Sequence, residues 1–373
     1  MRIAYVCRYY DNVIMRGGVG RKIQSQIRYW QMRDQEVRLF VLSPDDIKTE
    51  DFSVFQYHAT TNLPILKDLS MTLSRSREVL KLIDSVRVYK PDLIYMRFGR
   101  YIYPIHRLYK LAPIILELNT DDINEKRQLG RLLYLFNRFT RSLIVKDAVG
   151  LIAVTQEIAE LPANKMYGKP VRVIANGIDL DQYSPLPAPR NERPVITFVG
   201  SPGMIWHGVE KLISLAEKYP DLKINIVGCQ SFMSPERVPS NVQFHGFLDM
   251  AGIRKILMET DVACGSLALH RNNMQEASPL KVREAIAYGI PFLLGYKDTD
   301  LFDLESEYIL QIPNTEDNVE VYAEQIHSFA YNMMGKRLNR DGIANRIDQG
   351  HKEETRLEFF HEIIRNHKEN SYK

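Results

Sequence analysis

Two glutamates separated by seven residues, Glu276 and Glu284, lie in a segment with the groups needed to hold an anionic ligand. The residues between them predict a helix that begins near Pro279, with Ser278 as its N-cap. The free N–H groups and the dipole of a helix start attract anions, and Lys281 adds a positive charge near the first turn. The spacing suits a sugar on one side, a diphosphate in the middle and a ribose on the other. A solvated amphipathic helix is the alternative, but the Gly-Ile-Pro-Phe-Leu-Leu run that follows favours the ligand.

A glycine-rich segment near the N-terminus has residues suited to a phosphate or a sugar. Gly17 and Gly18 let the backbone approach a ligand closely, and Arg16 and Arg21 flank them. A plain glycine turn before a helix explains the same residues equally well. The segment is not a dinucleotide-binding fingerprint, because it lies well past the first predicted strand and lacks the Gly-x-Gly-x-x-Gly spacing.

The composition of the 373-residue chain indicates two domains of ordinary size. The 49 basic and 46 acidic residues give a net charge of +3, which offers no whole-protein case for nucleic-acid binding. Cys7, Cys229 and Cys264 lack the spacing of a zinc site or a disulfide framework, so we expect reduced core thiols. The first residues read as a strand rather than a signal peptide, and no apolar run reaches about 18 residues. We therefore expect a cytoplasmic protein, either free or peripheral at the inner face of a membrane.

Short apolar runs alternate with longer helical patterns through both halves of the chain. The predicted strands are 3–7, 37–42, 92–96, 114–118, 151–154, 171–175, 195–199, 223–227, 242–245, 261–264 and 291–294. Continuous apolar strands between helices predict parallel sheets that are covered on both faces, with binding sites beyond the carboxyl ends of the strands. The sequence thus predicts an α/β protein of two Rossmann-like domains that face each other across a cleft.

The domain boundaries are predicted from a proline-rich stretch. Four prolines and no periodicity mark residues 181–194 as a linker. It separates a first domain, 1–180, from a second, 195–350. Residues 351–373 are predicted to form a polar amphipathic helix that packs back toward the first domain.

An ordered set of motifs runs through nearly the whole chain. Besides the two glutamates with their Ala-Tyr-Gly-Ile-Pro sequel, it comprises Asn176-Gly177-Ile178-Asp179, Phe198-Val199-Gly200-Ser201, Val242-Gln243-Phe244-His245-Gly246 and Glu259-Thr260-Asp261-Val262. This set resembles the retaining glycosyltransferases of the GT-B fold, in particular family four. In the first half, Tyr95-Met96-Arg97 and Leu116-Glu117-Leu118-Asn119 are similar to a subgroup that acts in bacterial polysaccharide assembly.

The resemblance implies a nucleotide-sugar site in the second domain and an acceptor site in the first. Glu284 would hold the ribose, and Glu276 would contact the donor sugar as part of the catalytic site. Main-chain N–H groups around the start of the helix would take the diphosphate, and the glycine-rich loop would close the site. The donor-binding set implied in this way is Ser278, Pro279, Leu280, Gly17, Gly18, Ser201, His207 and Phe244.

Two positions depart from the family pattern. The family usually carries an Arg and a Lys after the Phe-Val-Gly segment, where this chain has Ser201 and His207. A leaving diphosphate needs positive charge, so we expect Lys281 to supply it, with Arg97 or the loop arginines as further candidates. His207 has two interpretations, a neutral buried histidine beside Trp206 or a phosphate ligand.

The second departure is Asn119, where many relatives have a histidine. Asn cannot act as a base at neutral pH, but it can orient a sugar hydroxyl. The polysaccharide-assembly subgroup also has Asn at this position. The change therefore does not argue against activity.

Two Asp-x-Asp sequences have the spacing that another glycosyltransferase fold uses to hold a divalent metal. Asp298-Thr299-Asp300 follows a predicted strand and Asp179-Leu180-Asp181 lies at the linker, so we interpret both as turn residues. Octahedral metals need several converging oxygen ligands, and no such cluster is evident in the sequence. We expect no metal and no other cofactor beyond the nucleotide-sugar substrate.

A basic amphipathic helix is predicted near the middle of the first domain. Its apolar stripe is formed by Leu129, Leu132, Leu133, Phe136, Phe139 and Leu143, and its basic face by Arg127, Arg131, Arg138 and Arg141. A stripe that faces the core, with a solvated basic face, is slightly favoured. The alternative is docking against anionic lipid or a lipid-diphosphate acceptor.

These observations predict a retaining, metal-independent glycosyltransferase. It would move a sugar from a nucleoside diphosphate to a hydroxyl of a glycan or glycolipid. The resemblance to the family implies retention by a front-face route, in which the leaving phosphate itself would take the acceptor proton. A nucleotide-sugar epimerase of the same fold is one alternative. A non-catalytic partner that binds nucleotide or glycan is another, because Ser201 and His207 replace the usual cations.

Overall fold

The chain folds into two compact units, seen in a computed structural model that describes residues 1–61, 63–230 and 238–371. The first unit combines Met1–Ala175 with Gln349–Lys373, and the second is Asn176–Asp348. Each unit is an α/β structure built on a parallel sheet. The α/β class and the Rossmann-like character predicted for both halves are confirmed.

The first unit contains a seven-stranded parallel sheet in the order β3-β2-β1-β4-β5-β6-β7. Its strands are β1 Arg2–Cys7, β2 Glu36–Ser43, β3 Ser53–Gln56, β4 Leu93–Arg97, β5 Ile114–Leu118, β6 Gly150–Ala153 and β7 Val171–Val173. The strand order reverses between β1 and β4. In open α/β sheets this switch point is where ligands bind, beyond the carboxyl ends of the strands.

Helices cover the sheet of the first unit. They are α1 Asn12–Arg16, α2 Gly18–Met32, α3 Pro64–Tyr89, α4 Asp122–Leu129, α5 Arg131–Thr140, α6 Ser142–Val145, α7 Gln156–Glu160, α8 Pro162–Lys165 and the last helix of the chain, α15 Gln349–Ser371. The helix α15 completes the core of this unit, since Phe360 packs edge-on against Trp30 and Glu353 accepts a 2.8 Å hydrogen bond from the Trp30 indole.

The second unit has a six-stranded parallel sheet in the order β10-β9-β8-β11-β13-β15, with a separate β12-β14 pair. Its strands are β8 Val195–Val199, β9 Lys223–Val227, β10 Val242–Gly246, β11 Val262–Cys264, β12 Glu276–Ala277, β13 Phe292–Leu294, β14 Lys297–Asp298 and β15 Ile309–Gln311. The order reverses between β8 and β11, so the switch point of this sheet lies at their carboxyl ends.

The helices of the second unit are α9 Val209–Lys218, α10 Met250–Met258, α11 Leu280–Ala287, α12 Asn318–Val321, α13 Ala323–Asn332 and α14 Asp341–Ile347. The proline-rich segment 181–194 lies within this unit. There Leu186 is buried and donates a main-chain hydrogen bond to Tyr288. The Asn191 side chain donates to the Asp261 carboxylate at 2.7 Å, which further ties the segment to the sheet.

The predicted helix between Leu129 and Leu143 is wrong in two respects. Gly130, with a positive φ of 135°, separates α4 from α5, so the stripe is not carried by one continuous helix. The apolar stripe also does not face the core: Leu132 is 83% exposed and Phe139 is 74% exposed. Among the described residues, no helix is long and apolar enough to cross a bilayer.

Candidate functional site

Lys281 lies in the first turn of α11, and its ammonium points at the carboxyl edge of the second sheet. The Nζ atom lies 4.2 Å from the centre of the Phe198 ring, at the end of β8, and is sheltered from solvent. It has no hydrogen-bond partner among the described residues. Burial lowers the pKa of Lys281 from 10.5 to about 8, and the Cys264 and Cys229 thiols oppose that change. The result is a buried cation without an anion at a sheet switch point.

A second buried lysine in the same unit shows how such a group is normally satisfied. The Lys211 ammonium donates to the carbonyl oxygens of Leu267 and Thr315 and to the side chain of Asn318, at 2.9 to 3.1 Å. Three acceptors match its three donors. Lys281 has none of these bonds, which is the usual condition of a group whose partner is a ligand.

Glu284 lies one turn after Lys281 on α11, so both side chains lie on the same helix face. The two residues line a small cavity of about 30 Å³ that also touches Thr197 and Cys264. One Glu284 oxygen accepts a 3.1 Å hydrogen bond from the Tyr183 hydroxyl. The Tyr183 hydroxyl thus orients the carboxylate, and a carboxylate can accept a hydrogen bond from a ligand hydroxyl.

The segment before α11 is fixed by Arg283, which is fully buried. Its guanidinium binds the Asp298 carboxylate in a fork with two 2.9 Å bonds and also reaches Asp300 at 2.8 Å. It donates to the Ser278 hydroxyl at 3.0 Å, and the same hydroxyl accepts from the Asn176 N–H at 2.9 Å. The start of α11 is therefore held in one position by a planar, permanently charged group.

Two sequence interpretations are corrected by this network. Ser278 is not the N-cap of the helix. Pro279 occupies that position without a side-chain hydrogen bond, and the Ser278 hydroxyl accepts from Arg283 instead. Asp298 is more than a turn residue. It does accept the Asp300 N–H at 3.1 Å, but it is buried and serves mainly as the partner of Arg283.

Glu276, the proposed contact to the donor sugar, lies on the short strand β12. Its carboxylate accepts a 2.7 Å bond from Lys297, on the neighbouring strand β14. The Lys297 ammonium also lies 4.2 Å from the centre of the Phe302 ring. The carboxylate of Glu276 is therefore paired with a cation at one of its oxygens.

His207 packs against Phe198 with 5.1 Å between the ring centres. Burial lowers the pKa of His207 to about 3, and the charge of Lys281 acts in the same direction. The imidazole is uncharged at neutral pH and supplies no positive charge to a phosphate. Ser201, in the loop after β8, is exposed.

The loops after β8 and β9 approach each other closely at this edge. Gly228 has a positive φ of 88°, and a Cβ there would meet the Gly200 carbonyl oxygen at 1.9 Å. Only glycine fits such a contact. Phe244, another predicted donor contact, lies farther out on the edge strand β10, half-buried against the core.

In the first unit, Asn119 and Arg97 lie together at the carboxyl ends of β4 and β5. The Asn119 side-chain oxygen accepts from Arg97 at 3.2 Å. Glu117 is fully buried between Lys22 at 2.6 Å and Arg97 at 3.4 Å, with Arg356 of α15 at 4.0 Å. Burial raises the pKa of Glu117, but these cations outweigh burial and hold that pKa well below its usual range. Glu117 thus fixes the side chains beside Asn119.

The glycine-rich segment forms the corner between α1 and α2. A Cβ on Gly20 would lie 2.4 Å from the carbonyl oxygens of both Ile14 and Met15. Gly17 ends α1, and α2 begins at Gly18. Arg16 is exposed and Arg21 half-buried on this corner, and the next residue, Lys22, reaches Glu117. Close packing of the corner accounts for Gly17 and Gly20 without a ligand.

The basic face predicted around α5 is divided between surface and interior. Arg127, Arg131 and Arg138 are exposed. Arg141 is not part of the surface: it is buried, and its guanidinium binds Asp122 at 3.2 Å. The prediction that Arg141 faces solvent is therefore wrong.

No cluster of three or more His, Cys, Asp or Glu side chains that could hold a metal ion occurs among residues 1–61, 63–230 and 238–371. Positive charge is available from the protein itself. In the second unit, an unpartnered ammonium, the N–H groups at the start of an eight-residue helix and an oriented carboxylate occur together. Such a set can bind a phosphate group and a neighbouring hydroxylated ring.

The two-unit fold with these sheet orders is that of the GT-B glycosyltransferases, and solved structures share it. Sucrose-phosphate synthase from Thermosynechococcus elongatus has 14% sequence identity and a TM-score of 0.68 over 97% of this chain and 99% of that one. HepE from Anabaena has 16% identity and a TM-score of 0.61, with 95% and 98% covered. TarM has 10% identity and a TM-score of 0.68, with 97% and 98% covered. No curated protein matches the sequence significantly.

Residues 16–182 match the sequence model of Glycosyltransferase Family 4. The matched residues make up most of the first unit, and the fold of the whole chain agrees with that family. Over these residues the chain matches the glycosyltransferases of family 4, and its fold is that of the GT-B glycosyltransferases.

Several residues that shape the site were not predicted from the sequence. Tyr183 orients Glu284, Lys297 pairs with Glu276, and Arg283 holds the start of α11. Tyr183 is 101 residues from its partner, and nothing in local spacing indicates such a contact. In the sequence, Arg283 is one more charge in an amphipathic pattern, and nothing there indicates that it is fully buried.

Proposed function

We propose that the protein transfers a sugar from a nucleoside diphosphate sugar to a hydroxyl of a glycan or glycolipid, with retention of configuration and without a metal. The unpartnered ammonium of Lys281 is the observation that supports this most directly. A diphosphate at the start of α11 would lie against the helix N–H groups and within the field of Lys281. The charge that develops on the leaving diphosphate would be stabilised there.

Glu284 has the complementary role in the proposal. A carboxylate held by the Tyr183 hydroxyl accepts hydrogen bonds from vicinal hydroxyls, as a ribose presents them. Glu276, whose carboxylate is positioned by Lys297, would meet the sugar of the donor. Retention follows the family's front-face route, in which the leaving phosphate takes the acceptor proton, so no protein nucleophile is required.

The nucleotide is the first part of the proposal to test. HepE was solved in complex with UDP-glucose, so UDP leads a thermal-shift panel that also contains GDP, ADP, CMP and dTDP. A ligand at a hundredfold over its dissociation constant adds about 2.7 kcal/mol to the unfolding free energy. The shift should disappear in Glu284→Ala and persist in Glu217→Ala, whose side chain is exposed on α9 of the same unit.

The reaction itself is tested by product analysis with the matching nucleotide sugar. Transfer to an acceptor that persists in EDTA, with the anomeric configuration preserved, is the expected result. Conversion of the sugar without an acceptor would identify an epimerase instead. Nucleotide binding with neither outcome would identify a non-catalytic binding protein. A panel without any shift would contradict the donor site itself.

We also propose that the protein works peripherally at the cytoplasmic face of an anionic membrane, held there by α5. Exposed apolar side chains such as Leu132 and Phe139 accompany exposed arginines. From Lys126 to Lys146 the sequence has six basic residues and no acidic one. An amphipathic helix with this charge suits an anionic lipid surface.

Vesicle co-sedimentation tests the membrane proposal. Wild-type protein should bind vesicles that contain phosphatidylglycerol, in a salt-sensitive manner, and not neutral vesicles. Leu132→Ser with Phe139→Ser should weaken binding by about a hundredfold or more, because each side chain contributes about 1.5–3 kcal/mol when buried in lipid. Val321→Ser, a similarly exposed apolar residue in the second unit, is the control. Equal binding by the double variant would refute the role of α5.

A further inference from the structure

A cavity of about 420 Å³ lies at the switch point of the first sheet. Its floor consists of the residues that follow β1 and β4, including Arg8 and the segment from Arg97 to Arg100. Helices supply the walls, with Arg75 from α3 and Lys126 from α4. The cavity thus occupies the position where open α/β sheets bind ligands, and its volume is that of a small-molecule site.

The lining of this cavity is strongly cationic. Five of its described residues, Arg8, Arg75, Arg97, Arg100 and Lys126, are basic, and none of the described lining residues is acidic. Only Arg97 meets a fully buried carboxylate, that of Glu117 at 3.4 Å. Lys126 lies 3.9 Å from the partly exposed Glu125, too weak a contact to neutralise the cavity.

Arg8 is the most deeply placed of these cations. It is 4% exposed, and its guanidinium donates to the main-chain oxygens of Gly99 at 2.7 Å and Arg100 at 3.2 Å rather than to a carboxylate. Burial lowers the pKa of Arg8 to about 10, and Asp122, which is bound to Arg141, acts on it only weakly. A buried guanidinium bonded to neutral oxygens keeps its full charge available to a ligand.

Arg75 and Arg100 bring two more guanidinium groups to the mouth of the cavity. Arg75 lies over the Tyr57 ring, 4.3 Å from its centre, and donates to the Tyr57 hydroxyl, which fixes its orientation. Burial lowers the pKa of Arg100, and repulsion from Arg75 lowers it further. Two like charges that repel each other are stabilised when an anion lies between them.

The remaining lining is apolar and leads outward. Ile14, Phe98, Ile102, Leu129 and Leu133 contribute side chains to the cavity. Two of the helices that line the cavity, α3 and α5, also carry exposed leucines outside the lining: Leu66, Leu69 and Leu73 on α3, and Leu132 on α5. The cavity therefore joins a cationic interior to an apolar exterior.

We propose that this cavity binds a phosphate group of the acceptor. Several converging guanidinium groups match the tetrahedral oxygens of a phosphate or diphosphate better than a single carboxylate. The apolar exterior favours a phosphate that joins the acceptor sugar to a lipid chain over that of a water-soluble sugar phosphate. The inference rests on the proposed transferase function, because it names the class of acceptor.

The test is calorimetric titration of the full-length protein with three probes: inorganic pyrophosphate, glucose 6-phosphate and farnesyl diphosphate. Lys281→Ala serves as the background, so that a diphosphate bound at α11 does not obscure the result. Adding Arg75→Gln and Arg100→Gln to this background should lower the affinity for the probe that binds by about tenfold or more. Arg77→Gln, an exposed arginine on the same helix α3 and outside the cavity, should have no effect.

The outcomes are separable. Tightest binding of farnesyl diphosphate assigns a lipid-linked acceptor, and binding of glucose 6-phosphate at least as tight assigns a soluble one. Equal affinity with and without the arginine substitutions would overturn the proposal. Arg100→Gln alone, which removes an exposed side chain, covers the case in which loss of the Arg75–Tyr57 contact disturbs folding. The nucleotide thermal shift reports on the donor site alone. Failure of the donor-site proposal can therefore be distinguished from failure of the phosphate-binding cavity.

Discussion

Replacement of Lys281 by methionine should make the protein more stable and less active. The side chains are similar in size, but methionine removes a buried, unpartnered charge next to Phe198. The pKa of Lys281 falls from 10.5 to about 8 on folding, a difference of about 3 kcal/mol in unfolding free energy at neutral pH. Lys281→Met should recover an amount of that order.

The pH dependence of stability shows whether the charge of Lys281 destabilises the folded protein. Below pH 8 Lys281 is protonated in both the folded and the unfolded chain, and the folded state bears the whole destabilisation. Between pH 8 and 10.5 the folded protein releases the proton first, so the stability of the wild type rises toward that of the variant. The advantage of Lys281→Met should shrink from about 3 kcal/mol at pH 7 to about 1 kcal/mol at pH 9.5.

The assay is urea unfolding of both proteins at the two pH values, together with steady-state transfer. If Lys281 stabilises the leaving diphosphate, turnover should fall about 10²- to 10³-fold with a much smaller change in nucleotide affinity. In the wild type, kcat/KM should fall above pH 8, where the ammonium of the free enzyme loses its proton. Lys255→Met, at an exposed position on α10, is the control and should change stability by less than about 0.5 kcal/mol.

A variant less stable than the wild type at pH 7 would show that Lys281 has a partner in the free protein. A stability difference independent of pH would show that its pKa is not lowered. Unchanged turnover would remove Lys281 from the chemistry altogether. Stability at pH 7 thus tests whether Lys281 lacks a partner, the pH dependence of stability tests its pKa, and turnover tests its role in the reaction.

Four further substitutions test other parts of the structure. Arg283→Met should lower the unfolding free energy by about 3–5 kcal/mol in urea titrations, because Asp298 remains buried without its partner. Glu117→Gln should be destabilising at pH 7, and the difference from wild type should narrow as pH falls through the depressed pKa of the Glu117 carboxyl, measured by acid unfolding. Gly20→Ala should cost about 1–3 kcal/mol because its Cβ meets two carbonyl oxygens, whereas Gly342→Ala, an open helical position, should stabilise by about 0.5–1 kcal/mol in the same melting experiments. A stable Gly20→Ala protein would contradict the tight corner.

The strands of both sheets were predictable because buried parallel strands are continuous apolar runs. The edge strands β3 and β15 were missed: β3 is the four-residue run Ser-Val-Phe-Gln and is only partly buried, so its apolar signal is short. The alternation of strands and helices then limited the fold to a doubly wound one. Local pattern was sufficient here because each strand carries its own signal.

The sequence predicted the helix that carries the site, but not the surroundings of its side chains. Residue type and spacing placed Lys281 near the first turn of a helix that also carries Glu284. The lack of a partner for Lys281 depends on Phe198, Cys264 and other residues far away in the sequence, and no local pattern contains that information.

The apolar stripe of α5 shows a second property that local sequence does not predict. Periodicity shows that a helix is amphipathic but not which face is turned outward. That was decided by the buried pairing of Arg141 with Asp122.

The position of α15 in the first unit affects how the chain is made. Residues 176–348 form one uninterrupted stretch, whereas the first unit needs both ends of the chain. Leu357, Phe359, Phe360 and Ile363 enter its core, and they are synthesised only after the whole second unit. A nascent chain on the ribosome can therefore complete its second unit before its first, although domains commonly mature in N-to-C order.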